Sequence, residues 1–207
     1  MILAALFPAP ARAQPLPGAE KIRFAEMSGW WLAVPGAGPR PAAISLHRCD
    51  ATTHPPHELD ARERAMAQLL QARGYHLLLP EPCSVNLHGA IDWLAARPEV
   101  DRARIVVLGW LHGGSTLLAA LQHRIGPMPL QARAAVAFSP DCSPYGRTQG
   151  SYLPVAPLLI LLDGPEARIP AAPCLELAKW TPKVMVRVLP ESSHHAALFE
   201  FLERELR

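Results

Sequence analysis

The chain has 207 residues, half of them apolar, enough for one sizeable core and short for two. Its formal charge of +2 is spread thinly, and no run of Lys or Arg is long enough to form a nucleic-acid-binding arm, so no polyanion partner is expected. No apolar run approaches the roughly 18 residues needed to cross a bilayer, which excludes a membrane span.

Residues 1–19 stand apart from a single domain over 20–207. They open Met1-Ile2-Leu3-Ala4-Ala5-Leu6-Phe7 and continue through prolines to Ala11-Arg12-Ala13, the A-x-A form of a signal-peptidase site. The apolar stretch is short and no basic residue precedes it, so the segment reads either as a cut-down export signal or as a flexible tail. An exported, periplasmic or secreted protein is the expectation and a cytoplasmic one the alternative. Cys49, Cys83, Cys142 and Cys174 lack C-x-x-C spacing and do not resemble a zinc site. In an exported protein some of them would pair, whereas in a reducing compartment they would be small buried apolar residues.

In chain order, residues 22–26 and 30–34 read as short strands around a hairpin turn at Ser28-Gly29. Residues 42–47 form an apolar strand. Residues 58–73 carry helical spacing at Leu59, Met66, Leu69 and Leu70, ended by Gly74. A strand over 75–79 precedes a helix over 87–96, stopped by Pro98. Residues 104–108 are a β-branched strand and 112–122 a helix rich in Leu and Ala. Strands over 134–138 and 158–162, a helix over 171–179, a strand over 184–189 and a closing helix over 196–207 complete the chain. Apolar strands alternating with helices imply an α/β fold with a mostly parallel sheet of about eight strands, covered by helices on both faces. Ligands of such a sheet bind beyond the carboxyl ends of its strands.

The strand over 104–108 runs into Gly109-Trp110-Leu111-His112-Gly113-Gly114, with a helix starting at once. That is the setting of a nucleophile elbow, the G-x-S-x-G turn that projects its central residue from the top of the sheet and needs glycines where a Cβ would collide. Here the central residue is Leu111. The run Gly109-Trp110-Leu111-His112-Gly113-Gly114-Ser115 resembles the Gly-Trp-Ser-His-Gly-Gly-Ser run of exported dienelactone hydrolase-like proteins of the α/β-hydrolase superfamily, with leucine in place of serine. The likeness extends to residues 44–49, 92–108, 135–142 and 158–174, and so covers most of 42–200.

The resemblance implies an α/β-hydrolase fold and activity on esters or lactones. It places Glu166 at the acid position and His195 at the histidine position of the triad, with Leu111 at the nucleophile position. It also implies an oxyanion hole from the backbone N–H of His112 and of Arg48 or Cys49. The chain departs from the family in carrying Arg48 where a glycine is usual, Glu166 where an aspartate is common, and a connection of only 80–86 where the family has a longer loop.

Leucine has neither a lone pair nor an ionisable proton, so it cannot form the covalent intermediate of acyl transfer. The expected function is accordingly that of a hydrolase homologue without ordinary triad chemistry, a pseudoenzyme that binds a small molecule or a partner. The alternative is an ester or lactone hydrolase in which His195, oriented by Glu166, activates a water directly. Ser115 is expected to hydrogen-bond back to its own helix rather than act as a substitute nucleophile, and Cys49 to be paired or buried. His47, Cys49, Asp50, His54, His57 and Glu58 are dense in potential ligands but match no metal motif, and are expected to be loop residues leading into a helix. No metal and no cofactor are expected. Trp30 and Trp31 read as core and edge packing, one of them facing outward.

Overall fold

The computed structural model describes residues 16–24, 26–47, 59–81, 86–122, 132–146, 151–164 and 169–207. Eight strands form one sheet in the order β1-β2-β4-β3-β5-β6-β7-β8. They are β1 (Glu20–Phe24), β2 (Met27–Leu32), β3 (Arg40–Leu46), β4 (His76–Pro80), β5 (Val100–Trp110), β6 (Ala134–Phe138), β7 (Leu158–Leu162) and β8 (Val184–Val188). The pairs β1/β2 and β2/β4 are antiparallel, and every other pair is parallel. Five helices join them: α1 (Ala61–Ala72), α2 (Leu87–Ala95), α3 (His112–Leu121), α4 (Ala172–Trp180) and α5 (His194–Glu205). The α/β fold expected from the alternating pattern is the fold observed.

The sheet is buried on both faces because its central strands are apolar throughout. Ile44, Val107, Ala135 and Ile160 turn to the side covered by α2, α3 and α4, where Ile91, Leu117, Leu118 and Leu177 meet them. Ala43, Val106, Val136 and Leu159 turn to the other side, against Met66 and Leu70 of α1 and Leu198 and Leu202 of α5. This is the period-2 rule applied to strands with no solvent face. The disulfide Cys142–Cys174, closing a separation of 32 residues, ties the segment after β6 to α4.

Local signals set the helix ends. Asp60 caps α1 in a reciprocal box with Glu63: Glu63 N–H donates to Asp60 Oδ1 at 2.9 Å, and Asp60 N–H donates to Glu63 Oε2 at 3.1 Å. The helix therefore starts later than residue 58. Gly74, at φ +82°, ends it as expected.

Three expectations are corrected. The first hairpin reverses between Phe24 and Met27, with Glu26 at φ +64°, and Ser28-Gly29 lies inside β2. Gly29 is required by close approach rather than by a turn, since a Cβ there would stand 2.7 Å from Leu79 O and 2.9 Å from the Phe24 ring. Strand β5 is much longer than 104–108, because Val100 pairs with Arg40 across an irregularity before the main register resumes at Ile105. Helix α5 begins at His194 rather than at 196, after a short 3-10 turn at Glu191–Ser193. Trp31 is buried and Trp30 is half-buried beneath Lys21, as alternation along β2 requires. No helix among the described residues is long and apolar enough to cross a membrane.

Candidate active site

Strands β5, β6 and β7 end side by side, with Trp110 opposite Phe138 and Phe138 opposite Leu161. The residues that follow them, Leu111, Ser139 and Asp163, line one cleft of about 1110 Å³ together with Asp60, Arg62, Met66 and the histidines His194 and His195. The position is the one a parallel sheet offers a ligand.

Leu111 occupies the apex of the β5–α3 turn at φ +49° and ψ −110°, a conformation that a branched side chain rarely adopts. Main-chain bonds hold it there. Leu111 N–H donates to Phe138 O at 2.8 Å, and Ser115 N–H donates to Leu111 O at 3.0 Å. The flanking glycines are demanded by space. A Cβ on Gly109 would stand 2.6 Å from Gly113 O and 2.8 Å from Gly114 Cα; one on Gly113 would strike the Leu46 carbonyl oxygen and lie 2.7 Å from His47 O. The elbow is thus built as the motif demands, with a hydrocarbon at the point where a nucleophile would project.

Two nearby hydroxyls, those of Ser115 and Ser139, are engaged. Ser115 Oγ donates to Leu111 O at 3.3 Å and accepts from Asp141 N–H at 2.9 Å, the helix-bound role expected of it. Ser139, also left-handed at φ +45°, donates its hydroxyl to Asp163 Oδ2 at 3.1 Å. Asp163 faces Arg62 at 3.6 Å, and Arg62 is bound at 2.5 Å to Glu191, so this guanidinium spans two carboxylates. Asp163 Oδ1 is buried and makes no hydrogen bond among the described residues; His194 Nε2 lies 4.0 Å away.

His194 is buried, and its Nε2 lies 3.3 Å from Leu162 O and 3.2 Å from Leu189 O. Two carbonyl acceptors at one ring nitrogen require that nitrogen to carry the proton, which commits Nε2 as a donor and removes it as a base. His195 is half-buried and lines the cleft. Phe138 stacks on Trp110 with centroids 3.9 Å apart and meets the His194 ring at 6.1 Å, giving the cleft an aromatic wall.

Of the residues singled out in the sequence, Leu111 and His195 therefore share the cleft, and His112 opens α3 with an exposed side chain. Arg48, Cys49 and Glu166 lie outside the described residues, as does most of the ligand-rich stretch after His47; among the described residues no cluster could hold a metal ion. Sequence reasoning missed Ser139, Asp163 and the Arg62–Glu191 pair. The first two were findable, since each directly follows an apolar strand at the ligand-binding edge of the sheet.

No protein-family profile matches the chain, and none of the curated proteins does. Solved structures do. An esterase from Thermogutta terrifontis, in its propionate-bound form, superposes with a TM-score of 0.68 at 15% identity, over 92% of this chain and 96% of that one. A lipase/esterase from Lactobacillus plantarum gives 0.67 at 15%, over 90% and 97%, and Est1E from Butyrivibrio proteoclasticus 0.66 at 15%, over 91% and 99%. At such identities the likeness speaks for architecture alone, and with the eight-stranded sheet and the glycine-framed turn at Leu111 it establishes that this chain has the α/β-hydrolase fold.

Proposed function

We propose that the chain is a dienelactone hydrolase-like α/β-hydrolase homologue that carries out no covalent catalysis and uses the cleft above Leu111 to bind a small molecule. The observation that carries this is Leu111 itself: the elbow keeps its glycines, its main-chain bonds and its positive φ, while its apex side chain can neither attack a carbonyl nor be activated by a base. Three groups near the apex support the same reading. The Ser139 hydroxyl is given to Asp163, Ser115 is held by its helix, and His194 Nε2 donates to main-chain carbonyls. What remains is an apolar floor of Met66, Trp110, Leu111 and Phe138 with polar groups at its rim, the composition of a binding pocket. The Cys142–Cys174 bridge supports export to an oxidising compartment, the periplasm or the exterior.

Steady-state hydrolysis of a panel of short p-nitrophenyl esters by the parent, Leu111→Ser and His195→Ala tests this. The parent is expected to match buffer. A gain in Leu111→Ser would show a scaffold that lacks only its nucleophile. Turnover by the parent that disappears in His195→Ala would instead establish hydrolysis by a water that His195 activates, and would end the binding-protein reading.

A further inference from the structure

The two edges of the sheet are built differently. Strand β1 exposes Glu20, Lys21 and Arg23, charges that oppose pairing with another chain. Strand β8, Val-Met-Val-Arg-Val, has no proline and no bulge: its register with β7 runs unbroken from Leu158↔Val184 to Leu162↔Val188. Its single charge is turned away, because Arg187 forms a two-bonded pair with Glu200 of α5 at 2.6 and 3.1 Å.

Exposed apolar side chains lie on β8 and on the helix packed against it. Four large ones stand out among the described residues: Leu153, Leu175, Trp180 and Val188, at 58, 43, 53 and 42% exposure. Leu175 and Trp180 belong to α4, which packs on β8, and Val188 ends β8. Leu153 follows Tyr152, whose carbonyl accepts from Thr181 Oγ1 at 3.5 Å just beyond the end of α4. Exposed apolar side chains beside a sheet edge that no described residue pairs mark a candidate interaction site.

We infer that β8 pairs antiparallel with β8 of a second copy of this chain, around a two-fold axis at Val186, with Trp180 and Leu153 enlarging the contact. Self-complementarity selects this occupant. Leu158 N–H donates to Lys183 O and Leu189 N–H donates to Leu162 O, so odd-numbered residues face β7, and Val184, Val186 and Val188 turn their main chain outward. Pairing at Val186 sets Val184 against Val188 of the other copy, Val186 against itself, and Met185 against Arg187. No like charges face each other, and a ladder of valines forms on the side where Val184 and Val186 already join the core. The Val184 amide is engaged by Thr181 O, which leaves about four inter-chain main-chain bonds, two at Val186 and two from Val188 to Val184. Such an interface is isologous and closes as a dimer.

Sedimentation velocity on the full chain across a concentration series tests the association, with Val188→Lys and Trp180→Glu as variants at exposed positions that leave the core untouched. The parent is expected to sediment as a dimer that dissociates on dilution, and each variant to weaken dimerisation at least about tenfold. Val186→Cys gives the register. Residues paired across an axis by two main-chain bonds have Cα atoms about 5.5 Å apart, within disulfide range. That variant should cross-link to itself under mild oxidation, whereas Val188→Cys should do so only when mixed with Val184→Cys. A parent monomeric at every concentration, a dimer indifferent to both surface changes, or self-linking of Val188→Cys in place of Val186→Cys would overturn the inference.

Discussion

The turns after β5 and β7 sit two strands apart on one edge of the sheet and have kept opposite things. The β5 turn has kept its main-chain geometry, with Leu111 at φ +49° between glycines that tolerate no Cβ, and presents hydrocarbon to the cleft. The β7 turn has kept polar chemistry, with Asp163 accepting from Ser139 and facing Arg62 and His194. Steric demands on an elbow come from Leu46, His47 and Gly109, parts of the core, and persist whatever the apex residue does. A nucleophile is demanded only by the reaction. Scaffold and chemistry are therefore separable.

The comparison is broken most severely by Gly113→Ala. Its methyl would meet the carbonyl oxygens of Leu46 and His47, backbone atoms that cannot swing aside. A cost of about 3 kcal/mol, or a melting temperature lower by roughly 6–12 °C, is expected by calorimetry. Next comes the apex. At an ordinary site alanine is more stable than glycine by about 1 kcal/mol, but at Leu111 the strain of a positive φ should reverse the order. Chemical denaturation should find Leu111→Gly more stable than Leu111→Ala by about 1 kcal/mol. The opposite order would mean that the elbow stores no strain. The Ser139→Ala change removes one bond to a carboxylate that Arg62 still faces, and should lower stability by about 1 kcal/mol.

The smallest effect concerns a histidine outside the cleft. His76 is buried, accepts from Val34 N–H at Nδ1 at 3.0 Å, and donates from Nε2 to Glu99 O at 3.1 Å. Burial lowers its pKa below the ordinary histidine value, against the raising effect of the Glu99 carbonyl. Because the folded pKa is the lower one, the unfolded chain binds the extra proton first. Its stabilising contribution is complete above about pH 6.5 and is lost as the pH falls from there toward the folded pKa. Urea midpoints measured as the pH is lowered should decline less steeply in His76→Gln than in the parent.

Much of this architecture was legible because the central strands carry their signal locally. The apolar runs at Ala134–Phe138 and Leu158–Leu162 are bounded by residues that cannot continue them, and both strands have the expected limits. The glycine pattern around Leu111 announced the elbow before any fold was known. The first hairpin was misplaced because Gly29 answers equally well to a turn and to close approach by β4, and only tertiary contact distinguishes the two. The full length of β5 depended on pairing with Arg40, which no local pattern records. Ser139 and Asp163 were findable from their positions after apolar strands, but the bond between them, across 24 residues of sequence, forms only when β6 and β7 pair.

The central claim, that the cleft holds no covalent nucleophile, is tested most directly by intact-mass spectrometry after incubation with a fluorophosphonate, a reagent that phosphonylates activated serines and other catalytic nucleophiles. The account predicts that the parent chain keeps its unmodified mass. A stoichiometric adduct on the parent, mapped to a residue of the cleft such as Ser139, would show that another side chain has taken over the role Leu111 cannot fill.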